Sequence, residues 1–156
     1  MKHFFRFLIF SLTLFIASCL QREPHPDTFI SKAEMLKIVR NNDDKFSEGV
    51  RTKNANLLAD IYSDSAQYVQ PGRTIIVGKD SIRNDWQNFI LLKEKPVDLI
   101  LNVREVRGNR EIIYETGNGF TLLSYSSRWK FNYVNVWRLQ TDGSYKLEID
   151  TYNDLK

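Results

Sequence analysis

The chain reads Phe131-Asn132-Tyr133-Val134-Asn135-Val136-Trp137-Arg138-Leu139, passes through Gln140-Thr141-Asp142-Gly143-Ser144, and continues as Tyr145-Lys146-Leu147-Glu148-Ile149-Asp150-Thr151-Tyr152. Both flanks are rich in β-branched and aromatic residues. Asp142-Gly143 between them tolerates the positive φ that a tight hairpin turn needs. The stretch predicts two antiparallel strands, 131–139 and 145–152. Alternation places Tyr133, Asn135 and Trp137 on one face and Val134, Val136 and Arg138 on the other. In the second strand Tyr145, Leu147 and Ile149 share a face. Asp150 is therefore expected to point away from it, in a structural role that pairs it with a basic residue or caps a loop.

Working back toward the N-terminus, Glu111 to Leu123 and Val97 to Val106 read as two further strands, joined by the turn Arg107-Gly108-Asn109-Arg110. Val97, Leu99, Leu101 and Val103 are expected on one side. Gly117-Asn118-Gly119 interrupts the longer strand and suggests a bend or bulge. Ahead of these lie helices. Ser31 and Glu34 have capping-box spacing, so a helix starts at about Ala33 and ends between 49 and 53. Its stripe is Leu36, Val39, Phe46 and Val50, with Asp43 on the same line. Asn54 caps a second, short helix carrying Leu57, Leu58, Ile61 and Tyr62 on one side. Two short strands, 66–70 and 74–77, flank Pro71-Gly72. A third helix follows Gly78, with Ile82, Trp86, Phe89 and Ile90 on one face and Asp80 opposing the positive end of its dipole. Helices first and strands later argue an α+β fold, not a parallel βαβ sheet.

The first eighteen residues differ in kind. Lys2, His3 and Arg6 precede an apolar run from Phe7 to Ile16, and no acidic residue occurs before Glu23. This is the pattern of a secretory signal peptide, too short for a membrane span of roughly 20 apolar residues. Its end, Ile16-Ala17-Ser18-Cys19, resembles the bacterial lipobox. That resemblance implies cleavage before Cys19, lipidation of its thiol and export to a bacterial membrane. Leu20 after the cysteine favours the outer membrane, by resemblance to proteobacterial sorting. Several acyl chains anchor stably where one does so marginally, since each buried CH2 contributes about 0.8 kcal/mol. The organisation expected is a signal peptide over 1–18, a proline-containing tether over 19–30 and one domain over 31–156.

Composition excludes several chemistries. Cys19 is the one cysteine, so no internal disulfide can form. The two histidines are His3 and His25, both ahead of the domain. Ser-His and Cys-His nucleophile pairs and His/Cys metal sites are thereby removed, and no metal is expected. Gly108, Gly117, Gly119 and Gly143 form no phosphate-cradling motif, and no cofactor is expected. Loss of Lys2 and Arg6 with the signal peptide lowers the formal charge from +3 to +1, which gives no electrostatic reason to expect nucleic acid as a partner.

A set of landmarks runs through the domain in order. They are Phe46-Ser47-Glu48-Gly49-Val50, Leu57-Leu58-Ala59-Asp60-Ile61-Tyr62, Ser65-Ala66-Gln67-Tyr68, Pro71-Gly72, Gly78-Lys79-Asp80-Ser81-Ile82, Trp86, Val136-Trp137-Arg138, Asp142-Gly143 and Ile149-Asp150. In this order and spacing the chain resembles the nuclear-transport-factor-2-like superfamily and, within it, the small SnoaL-like domains of unknown function. The resemblance spans about residues 33–153. It implies a cone of three helices closed on a strongly curved mixed sheet, with a pocket at the open end and dimerisation through the outer sheet face in many members. Some members are isomerases, cyclases or hydrolases and many have no known activity, so fold does not decide function.

What remains for chemistry is carboxylates and tyrosines. Asp43 is either a buried acid or base on the helix stripe or a solvated residue at its edge. Glu115 alternates with Ile113 and Gly117, and is either pocket-facing or an exposed strand carboxylate. These two are the candidate catalytic residues. Tyr62, Tyr68, Trp86, Tyr133 and Trp137 are the candidate ligand-binding residues, with core packing as the alternative. Three readings follow: a membrane-tethered module binding a small apolar or amphipathic molecule; a carboxylate/tyrosine isomerase or cyclase; and a dimeric, non-catalytic interaction domain. Whether the chain is an enzyme is left open by its sequence.

Overall fold

A computed structural model describes residues 28–92, 95–124 and 127–155. Cys19, the expected signal peptide and most of the expected tether lie outside the described residues. Helix α1 (Lys32–Arg51) begins where Ser31 caps it, the Ser31 hydroxyl accepting from the Glu34 amide at 3.1 Å. Helix α2 (Ala55–Ala59) is capped by Asn54, and α3 (Lys79–Ile90) follows Gly78. The six strands are β1 (Tyr62–Val69), β2 (Ile76–Val77), β3 (Pro96–Gly108), β4 (Ile112–Leu123), β5 (Arg128–Leu139) and β6 (Tyr145–Asp154).

They form one sheet in the order β2-β1-β6-β5-β4-β3. All neighbours are antiparallel except β1 and β6, so the sheet is mixed. The expected hairpin is present as β5 and β6. The sheet curls around a core of Val39, Leu58, Ile82, Ile90, Ile113 and Leu147. Helix α1 packs along β3, where the Ser47 hydroxyl donates to the Leu99 carbonyl at 2.6 Å. Gly49 lets α2 approach α1, since a Cβ there would stand 2.7 Å from the Leu58 side chain.

Three expectations need correcting. Tyr62 does not continue α2. That helix ends at Ala59, and Tyr62 opens β1 by pairing with Leu147 of the distant strand β6. Val97 is exposed, unlike Leu99, because the β3–β4 register slips between Pro96 and Asp98 and leaves Val97 as the extra residue. The glycines of β4 make no bulge against β5, whose register runs unbroken from Ile112 opposite Arg138 to Leu122 opposite Arg128. The irregularity beside them is in β3, where Arg104 is extra between Val103, opposite Gly117, and Glu105, opposite Thr116. Gly117 and Gly119 serve close packing instead. A Cβ on Gly117 would overlap the Tyr133 phenol, and one on Gly119 would stand 2.9 Å from the Phe131 ring.

Candidate functional site

One row of the sheet register gathers the polar groups. Glu115 on β4 stands opposite Asn135 on β5, Asn135 opposite Asp150 on β6, and Asp150 opposite Tyr68 on β1. Glu115 is fully buried. Its Oε1 accepts from the Tyr133 hydroxyl at 2.6 Å, and its Oε2 accepts from the Trp137 indole N–H at 2.8 Å and from the Asn135 amide at 3.4 Å. Alternation along β5 supplies all three donors from one face. Bare Gly117, paired with Tyr133, lets the phenol lie across β4 and reach Glu115.

Asp43 approaches the same carboxyl from α1 and is buried, not solvated. Burial first, then the charge of Glu115 and a hydrogen bond to it, push Asp43 up to about 9. Burial also raises Glu115, but hydrogen bonds from Tyr133, Trp137, Asn135 and Asp43 oppose that rise. Asp43 therefore holds a proton at neutral pH and donates a hydrogen bond to the Glu115 carboxyl. Drawn as two anions, the pair would leave both Asp43 oxygens without a partner.

Asp150 overturns its expected orientation. The β5–β6 register passes from Val136 opposite Ile149 to Trp137 opposite Leu147, so Glu148 is a bulge and the alternation reverses across it. Leu147 and Asp150 are both buried as a result. The Tyr62 hydroxyl donates to Asp150 Oδ2 at 2.5 Å and accepts from the Trp86 indole N–H at 3.2 Å. Burial and the charge of Glu115 raise Asp150, against the Tyr62 hydrogen bond, to about 7.

Above this row lies a cavity of about 670 Å³ between α1, α3 and the sheet. Of the expected ligand-binding residues, Tyr68, Trp86 and Tyr133 line it. Tyr62, Trp137, Glu115 and Asp43 are not part of its wall. They stand behind it: Tyr62 bonds to the wall residues Asp150 and Trp86 and Glu115 to Tyr133 and Asn135, while Trp137 and Asp43 bond to Glu115. Sequence reasoning missed Asn135, Asp150, Trp129 and Tyr152, which do line the cavity. Asn135 was legible, since it alternates with Tyr133 and Trp137. Asp150 was hidden by the bulge. Near the cavity mouth Arg73, whose side chain is 56% exposed, donates to Asp85 Oδ1 at 2.8 Å and to Gln70, and Gln70 donates to Asp85 Oδ2 at 2.6 Å. Among the described residues no group of three or more His, Cys, Asp or Glu is arranged to hold a metal ion.

No protein-family model matches the chain, and no curated protein matches it. Solved structures do. A ketosteroid isomerase-like protein from Erwinia carotovora atroseptica superposes with a TM-score of 0.65 at 13% identity, covering 79% of this chain and 98% of that one. An NTF2-like protein from Cytophaga hutchinsonii gives 0.64 at 14% identity, covering 77% and 98%. A Mycobacterium tuberculosis protein of unknown function gives 0.69 at 10% identity, covering 80% and 73%. The chain has the nuclear-transport-factor-2-like fold: an α+β cone in which helices close one side of a curled, mixed, six-stranded sheet.

Proposed function

We propose that the chain is a binding module for a small, largely apolar or amphipathic molecule, held at a bacterial membrane through lipid on Cys19. The observation that carries the binding reading is the cavity: about 670 Å³, lined by aromatic and aliphatic side chains, with a few convergent polar groups on its floor. Ligand pockets have this size and make-up. A solidly packed cone would have favoured the interaction-domain reading. The outer sheet face offers that reading little, since exposed Tyr114 and Val134 stand among Thr116, Asn132 and Arg138.

Nile red, an uncharged apolar dye, is expected to bind the full chain at one site. Leu101 lines the cavity, and Leu101→Trp should weaken dye binding by about tenfold by filling the space. Equal affinity of the variant, by fluorescence titration with folding checked by circular dichroism, would sink the reading. A second reading, an isomerase or cyclase, draws on Asp150. A wall carboxyl held near 7 in a hydrogen-bond chain with Tyr62 and Trp86 has the pKa a general acid or base needs. Under that reading Asp150→Asn abolishes turnover while Nile red binding survives. Turnover that persists in the variant removes it.

The tether rests on the sequence Ile16-Ala17-Ser18-Cys19. Cys19→Ala is expected to shift the protein from the membrane fraction to the soluble fraction, or to leave an uncleaved precursor. Unchanged fractionation with an unchanged N-terminus would rule lipidation out.

A further inference from the structure

The cavity floor has an unusual balance of hydrogen-bonding groups. Asn135 is buried, and its NH2 donates to Glu115 Oε2 at 3.4 Å. The Asn135 Oδ1 is then left buried with no hydrogen-bond partner. It is sealed beneath the cavity surface, where it adds an acceptor's partial negative charge under the floor without being open to a ligand itself. Asp150, its cross-strand neighbour, also lines the cavity and is an acceptor when ionised. The Tyr133 hydroxyl has spent its proton on Glu115. At the floor Asp150 is thus the carboxyl that lines the cavity, and Tyr133 offers no unspent donor.

The charge around it has one sign. The charged neighbours acting on Asp43 are Glu115, Asp44 and Asp150, and the one acting on Asp150 is Glu115. Arg73 is the cation on the cavity wall. It lies half-exposed and is already paired with Asp85. Between floor and mouth stand π-faces. Tyr68 and Trp86 are stacked at 5.8 Å and 11°, and Trp129, Phe131, Tyr133 and Tyr152 line the facing sheet. Acceptors, negative charge and aromatic faces together are what a cation with an apolar body requires.

We infer that the cavity takes an organic ammonium: a protonated amine on an apolar body, its N–H groups donating to Asp150 and its charge lying against the aromatic rings. This rests on the binding reading above and names the chemical class of its ligand. The polar head goes to the floor, and the apolar body extends past Trp86 and Phe131 toward Leu92 and Trp129 near the mouth.

Three probes with one skeleton test it: naphthylethylamine, naphthylethanol and naphthylpropionate, titrated into the full chain by calorimetry at neutral pH. The amine is expected to bind at least about tenfold more tightly than the alcohol, the margin of one buried charge-assisted contact, and the carboxylate not measurably. In Asp150→Asn the amine should lose that margin while the alcohol keeps its affinity within about threefold. The ranking on the unmodified chain decides the matter if that variant fails to fold. An alcohol or carboxylate that binds as well as the amine overturns the ammonium inference and leaves the cavity a binding site. A margin that survives Asp150→Asn overturns the assignment to the floor. Binding by none of the three overturns both this inference and the binding reading.

Discussion

Asp43→Asn is expected to stabilise the fold at neutral and alkaline pH, by several kcal/mol near pH 8, and to change it little near pH 4. Asp43 ionises at about 9 in the fold against an ordinary value of 3.8. A carboxyl raised in this way contributes stability that is fully present below its unfolded value and is lost as pH rises through its folded value. At neutral pH the folded chain must hold a proton that the unfolded chain releases, a cost of about 1.4 kcal/mol for each unit of separation. Asparagine keeps the shape and the donor to Glu115 without that cost. Glu115 is raised, and Asp150 is raised to about 7, so both act in the same direction and the unmodified chain should weaken steadily from about pH 4 to about pH 9. Urea unfolding across that range measures both effects. A variant no more stable than the parent near pH 8, or a parent whose stability rises with pH, would show that Asp43 does not hold the proton.

The helices and the hairpin were legible because their signals are local. Ser31 and Asn54 accept from amides three residues on, as capping predicts, and Asp142-Gly143 turns the chain between β5 and β6. The common face of Tyr133, Asn135 and Trp137 followed from alternation alone. What could not be read was set by distant strands. Tyr62 continues the helical spacing of Leu58 and Ile61, and its reassignment to β1 depends on pairing with Leu147. Asp150 turns inward because Glu148 is extra relative to Val136 and Trp137, and nothing in 145–152 marks that residue as a bulge. The glycines of β4 announced an irregularity but not its kind, since the ring that occupies their missing side chains comes from β5.

The two acid centres divide the work differently from the sequence reading. Glu115 and Asp43 sit behind the wall, and every strong donor near Glu115 is already spent on it. Their effect on a ligand is indirect, through Tyr133 and Asn135, which Glu115 holds in place on the wall. Asp150 is the carboxyl on the cavity floor, where burial raises its pKa and the Tyr62 hydrogen bond opposes that rise.

Trp86→Ala is the second large effect, a loss of about 3–5 kcal/mol. The indole is nearly buried and touches four rings: edge-on to Phe46 at 5.2 Å, stacked on Tyr68 at 5.8 Å, edge-on to Phe89 at 5.4 Å, and hydrogen-bonded to the Tyr62 hydroxyl. Aromatic pairs contribute about 0.5–1.5 kcal/mol each beyond area burial, so truncation removes several such increments along with the burial itself. Because one side of Trp86 faces the cavity, the vacated space joins an existing opening and water can enter it, which holds the loss within this range. Trp86→Phe separates packing from hydrogen bonding. It keeps a ring against Phe46 and Tyr68 but loses the N–H, and should cost about 1 kcal/mol for that bond, plus the smaller burial of phenylalanine. Denaturant unfolding of both variants gives the two losses. A loss below about 1 kcal/mol for Trp86→Ala would mean that α3 does not hold the cone closed through this residue.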